Sequence, residues 1–169
     1  IGAEGTLGII TAAVMKLQAK PKVCATAMIA TTSLGSALTL LNDLQHATGG
    51  AVEAFEYMPG FYMEQHQKLF SNAHQPFARV HDTNILVELA STSSDLAAHL
   101  EAGAILGAVV AQNQAQRVAF WERREQAAEV TASHPRLVNN DIALPLESVS
   151  AFLDLMKTRL AAIDSQAEA

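Results

Sequence analysis

Cysteine is nearly absent from this chain: Cys24 is the only one in 169 residues. A single thiol closes no internal disulfide and no zinc site, and it is compatible with a reducing compartment, so a cytoplasmic location is the expectation. Its setting, Val23-Cys24-Ala25-Thr26-Ala27-Met28, reads as a buried strand with an inert core thiol. Basic residues are scarce too. Eleven Lys plus Arg face seventeen Asp plus Glu, for a net charge of −6 with no basic run, which excludes the electrostatic footprint of a nucleic-acid binder. Apolar runs fall well short of the ~20 residues of a membrane span, so none is expected. The six histidines include no His-x-x-x-His pair and read as ordinary surface or half-buried residues, with no metal site. No Gly-x-Ser-x-Gly elbow and no Walker motif occurs, so a hydrolase would lack its nucleophile and an NTPase its phosphate cradle.

What remains is a core-forming composition. Half of the residues are hydrophobic, and a globule of this length buries roughly 70% of its unfolded surface, enough for one domain without covalent staples. The chain opens at Ile1-Gly2-Ala3-Glu4-Gly5-Thr6-Leu7-Gly8, with neither an initiator Met nor a charged leader. It therefore reads as a piece of a longer protein.

Ile9 to Leu17 carries β-branched residues in rough alternation and stops at Lys20-Pro21, which predicts a strand. Val23 to Thr31 predicts a second, with Thr32 or Ser33 capping a helix that ends at Gly49-Gly50. Strand 51–58, helix 61–71, a polar loop 72–83, strand 84–90, a short helix ending at Gly103 and strand 105–111 follow. Gln112 to Thr131, rich in helix formers, predicts the longest helix. Arg136 to Ala143 predicts a strand, and Leu146, Val149, Phe152, Leu153, Met156 and Leu160 recur at helical spacing to Ile163, with Pro145 in the first turn. Short strands without a glycine-rich dinucleotide turn favour an α+β class over a doubly wound sheet. The expectation is an antiparallel sheet with helices packed on one face, a ferredoxin-like plait of two related halves.

The most specific stretch is Gly2-Ala3-Glu4-Gly5-Thr6-Leu7-Gly8-Ile9-Ile10. Three glycines in seven positions permit either a tight hairpin or close backbone approach to a bulky ligand, and spacing alone does not choose. The residue types say more. Gly-x-Glu-Gly-Thr-Leu-Gly-Ile-Ile-Thr, a short strand and Lys-Pro are followed by Ala54-Phe55-Glu56, by Phe120-Trp121-Glu122-Arg123-Arg124-Glu125, and by Asn140-Asp141-Ile142-Ala143-Leu144-Pro145-Leu146-Glu147. This series, in this order and over essentially the whole chain, resembles FAD-linked oxidases of the vanillyl-alcohol oxidase type, the group that includes D-lactate, D-2-hydroxyglutarate and glycolate dehydrogenases.

The resemblance implies that residues 1–20 are the end of an FAD-binding domain and 21–169 a substrate, or cap, domain that is C-terminally incomplete. It implies FAD in the intact protein, with Gly2, Glu4, Gly5, Gly8 and Ile9 beside the cofactor, a small 2-hydroxyacid as substrate, and the missing FAD-binding domain of the same chain as partner. Arg124 stands where the family's Trp-x-x-Arg-Glu helix carries the arginine associated with the substrate carboxylate. A guanidinium offers that carboxylate a planar two-bond fork; the bland alternative is a surface arginine paired with Glu125 or Glu122. Arg123 points about 100° away and serves a different surface. Trp121 is either core or a wall of the substrate pocket, and Arg117, one turn earlier, is placed to cover its ring.

Two positions depart from the family pattern. Asn139 stands two residues before Asp141, where relatives acting on D-2-hydroxyacids often have lysine; the amide still donates a hydrogen bond but removes a positive charge, which argues against a dicarboxylate substrate. Ala3 replaces a hydroxyl residue common near the flavin. No catalytic base is assigned. The expected function is substrate-domain work in a 2-hydroxyacid dehydrogenase, and the alternative is a stand-alone ferredoxin-like binding or oligomerisation module. The fragment alone is expected to be inactive, to lack FAD, and to self-associate through surfaces that the rest of the protein would cover.

Overall fold

The computed structural model describes residues 5–17, 19–101, 105–134 and 142–164. Its strands are β1 (Ala25–Thr31), β2 (Val52–Pro59), β3 (Thr83–Leu89) and β4 (Gly107–Val110). Helix α1 (Leu34–Ala47) joins β1 to β2, α2 (Gly60–Leu69) joins β2 to β3, and α3 (Ser93–Glu101) joins β3 to β4. Three more follow: α4 (Gln114–Glu125), α5 (Ala127–Ala132) and α6 (Leu146–Ile163).

The strands form one sheet in the order β2-β3-β1-β4, with every neighbouring pair antiparallel. The crossovers through α1 and α3 each skip one strand, so two β-α-β units interleave within a single sheet. The chain is thus α+β, built on an antiparallel sheet as expected.

Both central strands are buried along their whole length, Ala25–Thr31 and Thr83–Leu89 alike. Residues apolar at both parities need a cover on each face. On one face Ala25, Ala27, Ile29, Ile85, Val87 and Leu89 pack against Ala37, Leu40 and Leu44 of α1 and Leu96 and Leu100 of α3. On the other, Met28, Met58 and Leu86 pack against Met63 of α2 and Phe120 of α4. Helices therefore cover two faces where the sequence led us to expect one. The small Ala and Thr residues of β1 hide this double burial from a hydrophobicity pattern.

Local signals set several boundaries. Ser33 accepts the Ser36 N–H at 3.1 Å to cap α1, and Gly49 and Gly50, at φ 63° and 89°, turn the chain out of it. Gly60 sits against the chain before β3, where a Cβ would lie 2.9 Å from the His81 carbonyl oxygen. Only glycine fits that approach.

Three expectations are corrected. Residues 9–17 form no strand; they have no regular structure, and Leu7, Ile9 and Val14 are 89%, 91% and 103% exposed. Alternation alone makes no strand without a ladder partner. The segment 112–131 is not one helix but two, broken at Gln126 (φ −76°, ψ 5°), whose side chain is bonded to His66. The longest helix among the described residues is instead α6, with 18 residues. Cys24 lies just before β1, half-buried, with its thiol pushed above the ordinary value, chiefly by burial. The strand expected over 136–143 falls mostly outside the described residues, and 142–145 has no regular structure.

Candidate functional site

The even-numbered residues of β3 point toward α4, and among them Glu88 is a carboxylate only 7% exposed. Thr26, its cross-strand neighbour, donates its hydroxyl to Oε2 at 2.6 Å. Arg117 clasps the carboxylate with both arms of its fork, Nε to Oε2 at 2.9 Å and Nη2 to Oε1 at 2.8 Å. The Trp121 indole N–H makes the fourth bond to the carboxylate, donating to Oε2 at 2.9 Å. Burial alone would raise the Glu88 carboxyl; the hydrogen bonds from Arg117, Thr26 and Trp121, with the Arg117 charge, outweigh it and hold the group below its ordinary value.

This arrangement fixes a helix. Asn113 caps α4 by accepting the Gln116 N–H at 3.0 Å. Residues 117, 121 and 124 then fall along one face at i, i+4 and i+7. Glu88 pins the first two to the sheet, and Arg124 rides on the next turn. Trp121 is half-buried against the Met28, Leu86 and Phe120 cluster. What joins Arg117 and Trp121 is the shared carboxylate of Glu88, not the ring-covering contact expected from their spacing.

Arg124 donates from Nε to Glu56 Oε2 of β2 at 3.2 Å, and its Nη1 lies 3.6 Å from Glu125 Oε1. Its side chain is 42% exposed. It is a positioned cation at the border of a buried sheet face, open to solvent on its outer side. A guanidinium so held can donate two parallel hydrogen bonds to a carboxylate.

Arg123 faces elsewhere, as its helical angle requires. It is buried, donating from Nη1 to His66 Nδ1 at 2.9 Å and from Nη2 to the His74 carbonyl at 2.8 Å. Arginine has no acceptor, so His66 Nδ1 accepts and Nε2 carries the proton, donating to Gln126 Oε1 at 2.7 Å. Burial, with the neighbouring Arg123 charge, lowers the His66 value and keeps the ring neutral. His66 is 1% exposed, which corrects its reading as a surface or half-buried residue. Among the described residues no cluster of His, Cys, Asp and Glu is arranged to hold a metal.

Of the other residues proposed from sequence, Gly5, Gly8 and Ile9 lie on the exposed segment; Gly5 has φ 79°, and a Cβ at either glycine would meet nothing within 4 Å. Gly2, Glu4 and Asn139 lie outside the described residues. Sequence reasoning missed the roles of Glu56, Glu88, Thr26 and His66. For Glu88 a signal existed: a lone carboxylate within Thr83-Asn84-Ile85-Leu86-Val87-Glu88-Leu89 demands a cationic or hydrogen-bonding partner.

A family model described as FAD linked oxidases, C-terminal domain, matches residues 20–167. Similar curated proteins include a probable mitochondrial D-2-hydroxyglutarate dehydrogenase of Oryza sativa subsp. indica, 26% identical across 95% of this chain and 30% of that protein. The mitochondrial D-2-hydroxyglutarate dehydrogenase of Arabidopsis thaliana is 28% identical over the same shares. The D-2-hydroxyglutarate dehydrogenase of Stutzerimonas stutzeri is 29% identical over 90% of this chain and 34% of its own length. The chain thus spans about a third of these relatives, and the two plant proteins are named as mitochondrial. No helix among the described residues is long and apolar enough to cross a membrane. With the match running through the sheet and α4 alike, the chain belongs to the FAD-linked oxidases, as their C-terminal domain.

Proposed function

We propose that this chain is the substrate-facing domain of an FAD-dependent dehydrogenase acting on a 2-hydroxyacid, and that Arg124 holds the substrate's carboxylate, with Asn139 adding a hydrogen bond. The observation that carries this reading is the placement of Arg124 on a helix fastened to the sheet through Glu88, with Glu56 engaging its Nε. Such a cation is oriented before the substrate arrives, and orientation is the chief contribution a protein makes to cofactor-borne chemistry. FAD, when bound, supplies the hydride acceptor. Gly5 and Gly8 present bare backbone that suits close approach of a flat ring, but every described residue from 5 to 17 is exposed, so enclosure of the flavin falls to other parts of the protein. Residues 1–20 are read as the edge of that flavin domain and 21–169 as the substrate domain.

The test is anaerobic addition of 2-hydroxyacids to the full-length protein. Loss of visible flavin absorbance with a 2-hydroxyacid, and none with the corresponding 2-deoxy acid, is expected; an unbleached flavin with every 2-hydroxyacid tried contradicts the reading.

Asn139 supports a finer expectation. Without a lysine there, monocarboxylic 2-hydroxyacids should be preferred over dicarboxylic ones. Asn139→Lys should raise kcat/KM for a dicarboxylic 2-hydroxyacid by about 1 kcal/mol of transition-state binding, roughly fivefold. Steady-state kinetics on one substrate of each kind checks it.

The isolated chain should also self-associate. Ile9, Ile10, Val14, Met15 and Leu17 are each more than two-thirds exposed, from 71% to 103%, and α6 contributes no buried residue. Apolar surface of this extent rarely stays solvated. Light scattering over a dilution series should show a concentration-dependent mass, and a constant monomer mass would contradict it.

A further inference from the structure

Arg123 presents a different problem from Arg124. It is 3% exposed, and among the described residues no carboxylate lies within 4.0 Å of it. Its Nη atoms are held by a neutral imidazole and a backbone carbonyl, which satisfy hydrogen bonds without balancing the charge. A buried unpaired cation costs several kcal/mol after relaxation, so it is retained where something compensates it.

The surroundings show where compensation can enter. Arg123 lines a half-open cleft of about 520 Å³ between α4 and the end of α2, together with His66, Ser71, Asn72, His74 and Gln126. Glu122 also lines the cleft, but its side chain is exposed and makes no ion pair with Arg123. The arginine itself is immobilised: Tyr62 donates its hydroxyl to the Arg123 carbonyl, and the His66 ring, 4.9 Å from Phe70, is locked by Gln126. The cleft therefore has a fixed positive floor, and its rim carries neutral polar side chains with the exposed Glu122 carboxylate on one side. It is larger than a bare ion needs, which suits the charged end of a small molecule.

We propose that this cleft binds the oxyanion of a small ligand, a carboxylate or a phosphate group, on the Arg123 guanidinium, with Ser71 and Asn72 at its rim. The site is separate from Arg124, about 100° around the helix, and does not rest on the role assigned to that residue.

Titration of the chain with acetate and with inorganic phosphate, at constant ionic strength in chloride, tests it through the ring resonances of His66 and the amides of residues 70–74. A saturable shift of these signals with at least one anion is expected, and the anion that gives it separates the carboxylate from the phosphate source. Arg123→Met should weaken binding by roughly tenfold or more. If that variant fails to fold, Asn72→Asp carries the test by placing a negative charge at the rim, with about a threefold loss expected. No saturable shift with either anion, or an unaltered response in the folded variants, overturns the proposal. So does a response lost in Arg124→Gln but kept in Arg123→Met, which would assign the anion to the neighbouring arginine.

Discussion

Replacing Glu88 with alanine should cost about 2–4 kcal/mol of folding stability, because it removes the buried member of a partly buried pair and leaves three donors without their acceptor. Arg117 would lose its only carboxylate partner among the described residues, and the Thr26 hydroxyl and Trp121 N–H would lose the acceptor they share. Glu88→Gln keeps the shape and one acceptor oxygen, so its cost should be smaller, about 1–3 kcal/mol. Urea unfolding of the three proteins gives the comparison directly. The same cluster sets an acid limit. The folded-state value of Glu88 lies below the ordinary 4.5, so the stabilisation is fully present above that value and is lost as the pH falls through the lower, folded-state one. Glu88→Gln should flatten this part of the stability profile below pH 4.5. A profile identical to the parent's would mean that the acid sensitivity arises elsewhere.

In the full-length protein, Arg124→Lys should lower kcat/KM for a 2-hydroxyacid by about 1–3 kcal/mol of transition-state stabilisation, roughly 5- to 150-fold. Lysine keeps the charge but has no fork, and a point charge on a flexible stem does not orient a carboxylate. It also has no group equivalent to Nε, so the contact that Glu56 makes with Arg124 is lost along with the fork. Folding should change little, because both partners are partly exposed and surface ion pairs contribute about 0–1 kcal/mol. An unchanged urea midpoint beside a large kinetic loss separates a role in binding from one in structure.

How much of this was legible beforehand differs from residue to residue. Helix α6 was readable to its ends, since Pro145 marks its start and apolar residues recur at helical spacing to Ile163. Strand β3 is legible in the apolar alternation of Ile85, Val87 and Leu89, whereas the burial of the opposite face, with Leu86 and Glu88, depends on helices distant in sequence. The role proposed for Arg124 rests on the family resemblance, because nothing local distinguishes it from any other helical arginine. Its partner Glu56 lies 68 residues away in sequence, and such pairings are written only in the fold. The break at Gln126 has the same origin: local propensity favours a continuous helix, while a tertiary bond to His66 accompanies the turn. At residues 9–17 the error ran the other way, with a sound local pattern and no strand beside it to complete a ladder.

The most direct measurement of the central claim couples Arg124 to the substrate's carboxylate. The full-length protein and its Arg124→Lys variant are each assayed with a 2-hydroxyacid and with its neutral amide, and the four values of kcat/KM form a cycle. If Arg124 holds the carboxylate, exchanging acid for amide should be heavily penalised in the parent and much less so in the variant. A variant that slows acid and amide by the same factor would show that Arg124 does not touch the carboxylate, and would contradict the assignment.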